Sequence, residues 1–296
     1  MNPRIASGGR WKAILGPLGR ILLATILVGG AVAVAQVTLK LLQGVLSLGG
    51  AVPAFYYLAY LVVSVLVAYF VYRAYVHLVE KRAVSELSGR GAAGELGLGT
   101  LIGFGLIAMT VVVLWVAGFY SVLGANGLAV IFVSLANDGA GAFVEEIILR
   151  GVFFRITEER LGTWVALAIS VVLFALLHLA SPGATVAGTI LVGIEGGILL
   201  SAAYVFTRRL WLAIGIHFGW DFSQDGLFGV GSGSEGVLRG ELSGPGLLSG
   251  GNAGIEGSVI ALVLCLAVSA YLLVGAKQKG NLLGPARTRG VQSTVR

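Results

Sequence analysis

The chain has 296 residues, of which 57% are hydrophobic and only 11% charged, a balance that excludes an ordinary water-soluble domain and points to a polytopic membrane protein. Its length is too short for a soluble catalytic domain plus a full bundle, so a single membrane-embedded domain over 1–296 with short tails is expected. The formal net charge of +6 lies in tails and short loops rather than on one face, which favours the anionic bilayer surface over nucleic acid as its partner. The lone Cys265 excludes an intrachain disulfide.

A basic start over 1–20 (Arg4, Arg10, Lys12, Arg20) leads into a first apolar run, Ile21 to Leu39, long enough to span a bilayer. Ala33-Val34-Ala35 also fits a signal-peptide cleavage site; the run is read as a retained helix. The second span covers about Pro53 to Leu78, opened by an aromatic cluster of Phe55, Tyr56, Tyr57 and Tyr60 and ended by an interfacial His77. A third runs from about Leu96 to Val122, with Gly99 and Gly103 in helix-packing spacing. The fourth runs from about Leu128 to Ile156 and the fifth from about Thr163 to Leu179, closed by the turn Ser181-Pro182-Gly183. Ala184 to Phe206 and Leu210 to Phe228 are the sixth and seventh. Gly229 to Glu256, rich in Gly and Ser, reads as an extramembrane loop, and Gly257 to Gly275 as the eighth span. The basic tail 276–296 is expected to be disordered.

The expected fold is therefore an all-α polytopic bundle of about eight transmembrane helices in the cell membrane, with both termini cytoplasmic. That orientation puts Lys81, Arg82 and Arg90, then Arg155 and Arg160, then Arg208 and Arg209, then Lys277, Lys279, Arg287 and Arg289 on one side, leaving little beyond Lys40 and Arg239 on the other.

Few polar residues fall inside these spans. The fourth carries Asn137, Asp138, Glu145, Glu146 and Arg150; the fifth His178; the sixth Glu195; the seventh His217 and Asp221. Ionisable groups at such depth are costly and mark function. Glu146 and Arg150 stand four apart, acid first, and can pair as a structural brace. Glu145 is rotated by about 100° and lacks that partner; Asp138, seven residues back, shares its face. An unpaired carboxylate in an apolar site gains proton affinity, as a general base requires. Phe174 and His178, and likewise His217 and Asp221, each share a helix face. If Glu145, His178 and His217 converge they can activate a water and stabilise an oxyanion; with Asp221 the same set could instead ligate zinc. No His-Glu-x-x-His helix is present.

The ordered set Glu145-Glu146-x-x-x-Arg150-Gly151, Phe174-x-x-x-His178 and His217-x-x-x-Asp221 resembles the motifs of the CPBP family, which comprises CAAX prenyl endopeptidases, bacteriocin-processing enzymes and Abi-type membrane proteins. The resemblance covers roughly Asp138 to Phe228, within a motif-bearing catalytic core of about 128–228. It implies an eight-span intramembrane endopeptidase that needs no cofactor and acts on a membrane-associated, possibly prenylated, peptide or protein. Glu145 and His178 would then activate the water, and His217 with residue 221 would stabilise the oxyanion. Position 221 departs from the expected Asn: an ionised Asp only accepts hydrogen bonds, so Asp221 would instead orient His217 or be protonated. Glu195 stands where relatives are expected to carry a small or apolar residue. A non-catalytic immunity or scaffold protein of the same fold and a proton-coupled transporter are the competing classes; the latter predicts repeat symmetry, which the sequence lacks. Simple helical rise puts Glu145 roughly 17 Å, His178 roughly 23 Å and His217 roughly 11 Å from the cytoplasmic helix ends, so tilts or shifted ends must bring them together.

Overall fold

The computed structural model describes residues 9–47, 54–181, 183–231 and 235–286, with the side chains of the first segment from 16 to 45. Arg4, Pro53, Pro182, Arg287 and Arg289, and the side chains of Arg10 and Lys12, lie outside the described residues. Helices dominate: α1 (Gly9–Ser47), α2 (Ala54–Tyr75), α3 (Ala92–Val116), α4 (Ala129–Glu146), α5 (Arg155–Leu161), α6 (Thr163–His178), α7 (Val186–Thr207), α8 (Trp211–Asp221), the short α9 (Gly246–Ser249) and α10 (Val259–Gln278). α1 breaks at Gly16, whose φ of 58° suits glycine, immediately before Pro17. Among the described residues five helices are long and apolar enough to cross a bilayer: Gly16–Val45, Ala54–Glu80, Ala92–Val116, Val186–Thr207 and Val259–Gln278. Their outward faces carry exposed apolar side chains such as Leu22, Phe70, Trp115, Ile190 and Tyr271. This is the make-up of a multi-pass membrane protein.

The remaining three expected spans are of a different kind. The fifth is the shorter apolar helix α6, of 16 residues. The fourth is continuous but composite: α4 passes into a wide π turn, Ile147–Phe154, and then α5. The seventh likewise joins the 11-residue α8 to a π turn, Phe222–Phe228. These two segments carry most of the ionisable residues inside the spans, Asp138, Glu145, Glu146, Arg150, His217 and Asp221, while His178 lies on α6 and Glu195 on α7. π turns inside helices recur at functional sites because they re-aim the side chains beside them.

Three expectations about the connections and the tail are corrected. The third span ends at Val116, and Tyr120–Ala125 is a strand, β1, antiparallel to β2 (Leu238–Leu242), with Tyr120 opposite Leu242 and a bulge between Val122 and Ala125. The Gly-rich stretch is thus not a plain loop: it pairs with β1, then folds back through Ile255, fully buried, whose N–H donates to Val230 O at 3.0 Å. The segment after α10 is also ordered as far as residue 286. Asn281 Nδ2 donates to Val205 O and Phe206 O, and Leu283 N donates to Thr163 Oγ1 at 2.8 Å.

α8 is held against α3 by glycine. Gly99 and Gly103 face the backbone of α8, while Gly215 and Gly219 face that of α3. A Cβ on Gly99 would stand 2.5 Å from Leu212 O, and one on Gly219 would run into Thr100 O. Small-residue pairs are the main means of close helix approach in lipid, where burial of apolar surface supplies no driving force between helices. His217 sits midway between Gly215 and Gly219, so this contact places it.

At the other end of the bundle a buried ionic network ties α1, α2, the following turn and α5 together. Glu80 accepts from Arg155 at 2.8 Å, Arg82 at 2.7 Å and Arg20 at 3.2 Å. Glu86 accepts from Tyr72 Oη at 2.5 Å and from Arg82 Nη2 at 2.6 Å. Arg155 Nε also donates to Gly151 O at 2.8 Å, which anchors the π turn after Glu146. Burial pushes the Glu86 carboxyl up, but the hydrogen bonds and charge of Arg82 and the Tyr72 hydroxyl pull it further down, so it lies below its ordinary 4.5.

Two predictions follow from this packing. Gly219→Ala is expected to cost about 1–3 kcal/mol by thermal or denaturant unfolding in detergent, whereas Gly105→Ala on α3, where a Cβ meets nothing within 4 Å, changes stability by less than about 0.5 kcal/mol. Because the folded carboxyl of Glu86 is depressed, its stabilisation is present above pH 4.5 and is lost as pH falls through the folded value. The melting temperature is therefore expected to drop on acidification below 4.5, and the drop is smaller in Glu86→Gln.

Candidate active site

The site is built on Arg150. Its side chain is completely buried, so its charge must be met inside the protein. Arg150 Nη1 donates to Glu146 Oε1 at 2.7 Å, Nη2 donates to Gly196 O on α7 at 2.6 Å, and the guanidinium carbon lies 5.1 Å from the Phe174 ring centre. One charge thus joins α4, α6 and α7. Glu146 has a second partner that its spacing to Arg150 does not reveal: His217 Nδ1 donates to the same Oε1 at 3.0 Å.

That contact orients the His217 ring. Its Nε2 faces Asp221 Oδ2 at 3.3 Å and Glu145 Oε2 at 3.9 Å. With a carboxylate oxygen before each ring nitrogen, the arrangement fits an imidazolium carrying both protons. The ring is buried, while the Glu145 side chain is 44% exposed and Asp221 23%. Glu145 therefore meets His217 from an accessible side, and Asp221 lies four residues on along the same helix face.

His178 is fixed differently. Its Nδ1 lies 2.9 Å from Phe174 O, a carbonyl that can only accept, so Nδ1 donates there and Nε2 is the nitrogen left for another partner. The ring stacks on Phe174, centroids 4.5 Å apart and planes at 25°. Phe174 also lies 6.0 Å from the His217 ring. It can occupy this central position because α7 has glycine at 196, where a Cβ would strike the Phe174 ring. Phe174 is thus a spacer between Arg150 and both histidines.

Both histidines and Asp221 line one cavity of about 40 Å³, with Phe174, Glu195, Trp220 and Glu256. That space suits about two waters. Glu145 does not line this cavity; it reaches the cluster through His217 Nε2 and is within electrostatic range of His178. Asp138, on the face of Glu145, accepts from Ser134 Oγ and borders a separate cavity with Asn137, Asp225 and Glu235. Among the described residues no three His, Cys, Asp or Glu side chains meet with the spacing of a metal site. His77 is exposed in the turn Val76–Glu80 that follows α2.

Sequence reasoning missed Glu256 and the second bond of Glu146. Glu256 stands in the turn Ile255–Gly257 before α10, within a stretch read as a loop. Its only signal is an acid directly preceding an apolar helix, and its place in the cavity depends on the chain folding back.

Compared with known proteins, residues 125–223 match the family model described as Type II CAAX prenyl endopeptidase Rce1-like. The match supports the resemblance to the CPBP/CAAX protease family and ends just past Asp221, so it leaves out Glu256. No curated protein and no solved structure matches the chain.

Removing the carboxylate of Glu146 leaves Arg150 buried and His217 unanchored. Glu146→Ala is expected to lower stability by about 3–5 kcal/mol, and adding Arg150→Met restores a large part of that loss without restoring the His217 contact. Parallel unfolding curves of the single and double variants check this.

Proposed function

We propose that the protein is an intramembrane endopeptidase that hydrolyses a peptide bond of a membrane-associated, possibly prenylated, substrate with a water activated by Glu145 and His178. The observation that carries the reading is the pairing of two histidines in different surroundings: His178 with one nitrogen on the Phe174 carbonyl and the other turned away from it, and His217 with both nitrogens facing carboxylates. One can take a proton and the other can face a developing negative charge.

The steps follow from these roles. Water loses a proton to Glu145 or His178 Nε2 as its oxygen attacks the carbonyl carbon. The carbonyl π pair moves onto oxygen, beside the His217 imidazolium. The tetrahedral species collapses, the C–N bond breaks, and the stored proton passes to the leaving amine, giving an acid and an amine. Asp221 holds His217 charged; it accepts from Nε2 instead of donating to the oxyanion as the expected Asn would. Glu146, Arg150 and Phe174 position the histidines. The water-activation route uses only side chains of this chain; zinc on Glu145, His178, His217 and Asp221 remains the alternative assignment of the same set.

In the cell membrane, the composite chains α4–α5 and α8 with its π turn, together with α6, complete eight crossings with both termini cytoplasmic. The catalytic core is 128–228. The matched family is one of CAAX prenyl endopeptidases, and the five long apolar helices suit a substrate held at the bilayer.

The test is cleavage of a reconstituted membrane peptide library by wild type and Glu145→Gln. The variant is expected to insert and unfold as wild type does while cleavage falls by about 10²–10⁴-fold. Cleavage by Glu145→Gln at the wild-type rate would sink the assignment.

A further inference from the structure

Two carboxylates in the cavity take no part in the proposed water activation. Glu195, on α7, is 4% exposed, and its Oε1 has no hydrogen-bond partner. Its backbone is pinned, because the next carbonyl, Gly196 O, accepts from Arg150 at 2.6 Å. Glu256 enters from the turn before α10, and Gln224 Nε2, on the π turn after α8, donates to its Oε1 at 2.7 Å. Glu195 and Glu256 line the same space as His178, His217 and Asp221.

Among the described residues around this space, no Arg or Lys charge is left over for these two carboxyls. His217 is taken up by Glu146 and Asp221, and Arg150 by Glu146 and Gly196. Among the described residues no Lys or Arg side chain lines the cavity. A carboxylate held away from water is stabilised only by a proton or by a cation with hydrogen-bond donors. Trp220 also hydrogen-bonds Glu256, and much of the remaining lining is apolar, including Val192, Leu199, Leu200 and Ile216. The cavity's 40 Å³ matches one ammonium head and a water in size. A primary ammonium supplies three donors, and its methylene stem suits the apolar wall. His178, Asp221 and Glu256 are each only part-buried, so the cavity can be entered.

We propose that Glu195 and Glu256 form a binding site for a primary ammonium group, supplied by a lysine side chain of the substrate beside the scissile bond. The source of the ammonium rests on the endopeptidase reading; the site itself does not.

Two arms test this at constant ionic strength. In the first, n-pentylammonium, n-pentanol and sodium are titrated against the full-length protein in detergent, and the melting temperature is read. Saturable stabilisation by pentylammonium and not by pentanol is expected, with loss in the isosteric Glu195→Gln/Glu256→Gln variant. The amine–alcohol contrast is read on wild type alone, so it holds even if the variant folds poorly. No saturable shift in wild type, or an unchanged shift in a folded variant, overturns the site. An equal shift from sodium that abolishes the pentylammonium effect identifies a free inorganic cation and overturns the lysine assignment.

In the second arm, peptides carrying lysine or norleucine at each position flanking the cleaved bond are compared. At one position lysine is expected to raise kcat/KM by about tenfold, and the ratio falls to about one in the double variant. Equal cleavage of both peptide sets by wild type overturns the lysine assignment. If wild type cleaves neither set while pentylammonium still binds, the endopeptidase reading fails and the ammonium site stands.

Discussion

A single buried cation organises this site. Arg150 has no access to solvent, and a guanidinium in that position is tolerated only when its charge is met inside the protein. Its partners are drawn from three elements: Glu146 in its own chain, the Gly196 carbonyl on α7, and the face of Phe174 on α6. Through Glu146 the same charge reaches His217 on α8, and through Phe174 it reaches His178. The geometry of both histidines therefore depends on one ion that performs no chemistry itself. Removing it would separate the groups without touching either histidine.

Backbone packing does the rest. Reciprocal glycines press α3 and α8 together so closely that side chains are excluded from the contact. That leaves α8 free to present His217 and Asp221 on its other side, toward α4. The π turns after Glu146 and Asp221 follow directly on the residues that matter, and each widens the helix where the chain leaves the site. The ionic network of Arg20, Glu80, Arg82, Glu86 and Arg155 holds the first turn from outside, through Gly151. Arg82 and Arg155, which read in the sequence as positive charge near a bilayer surface, are thus also internal partners of buried acids.

The cavity is more acidic than the proposed water activation needs. Glu195 and Glu256 come from segments that the motif set does not include, one from the middle of α7 and one from a turn beyond the family match. Their convergence beside His178 exists only in the folded chain.

Much of this was legible in the residues themselves. Composition and apolar run length identify a multi-pass membrane protein because about 20 apolar residues are what a bilayer demands. The Glu146–Arg150 brace follows from i,i+4 geometry, and the singling out of Glu145 from the 100° step between neighbours. Helical periodicity is local, and so are these conclusions. Tertiary structure alone decided that Glu146 also holds His217, that residues 120–125 form a strand, and that Glu256 enters the cavity. Each depends on contacts between residues far apart in the chain, 71 positions for Glu146 with His217 and 32 for Gln224 with Glu256, for which helical spacing carries no signal. The depths counted from helix ends disagreed because rise per residue ignores where a helix starts and how it tilts. Packing of α8 on α3 and the interruption of α4 by a π turn settled that, bringing Glu145 to within 3.9 Å of His217.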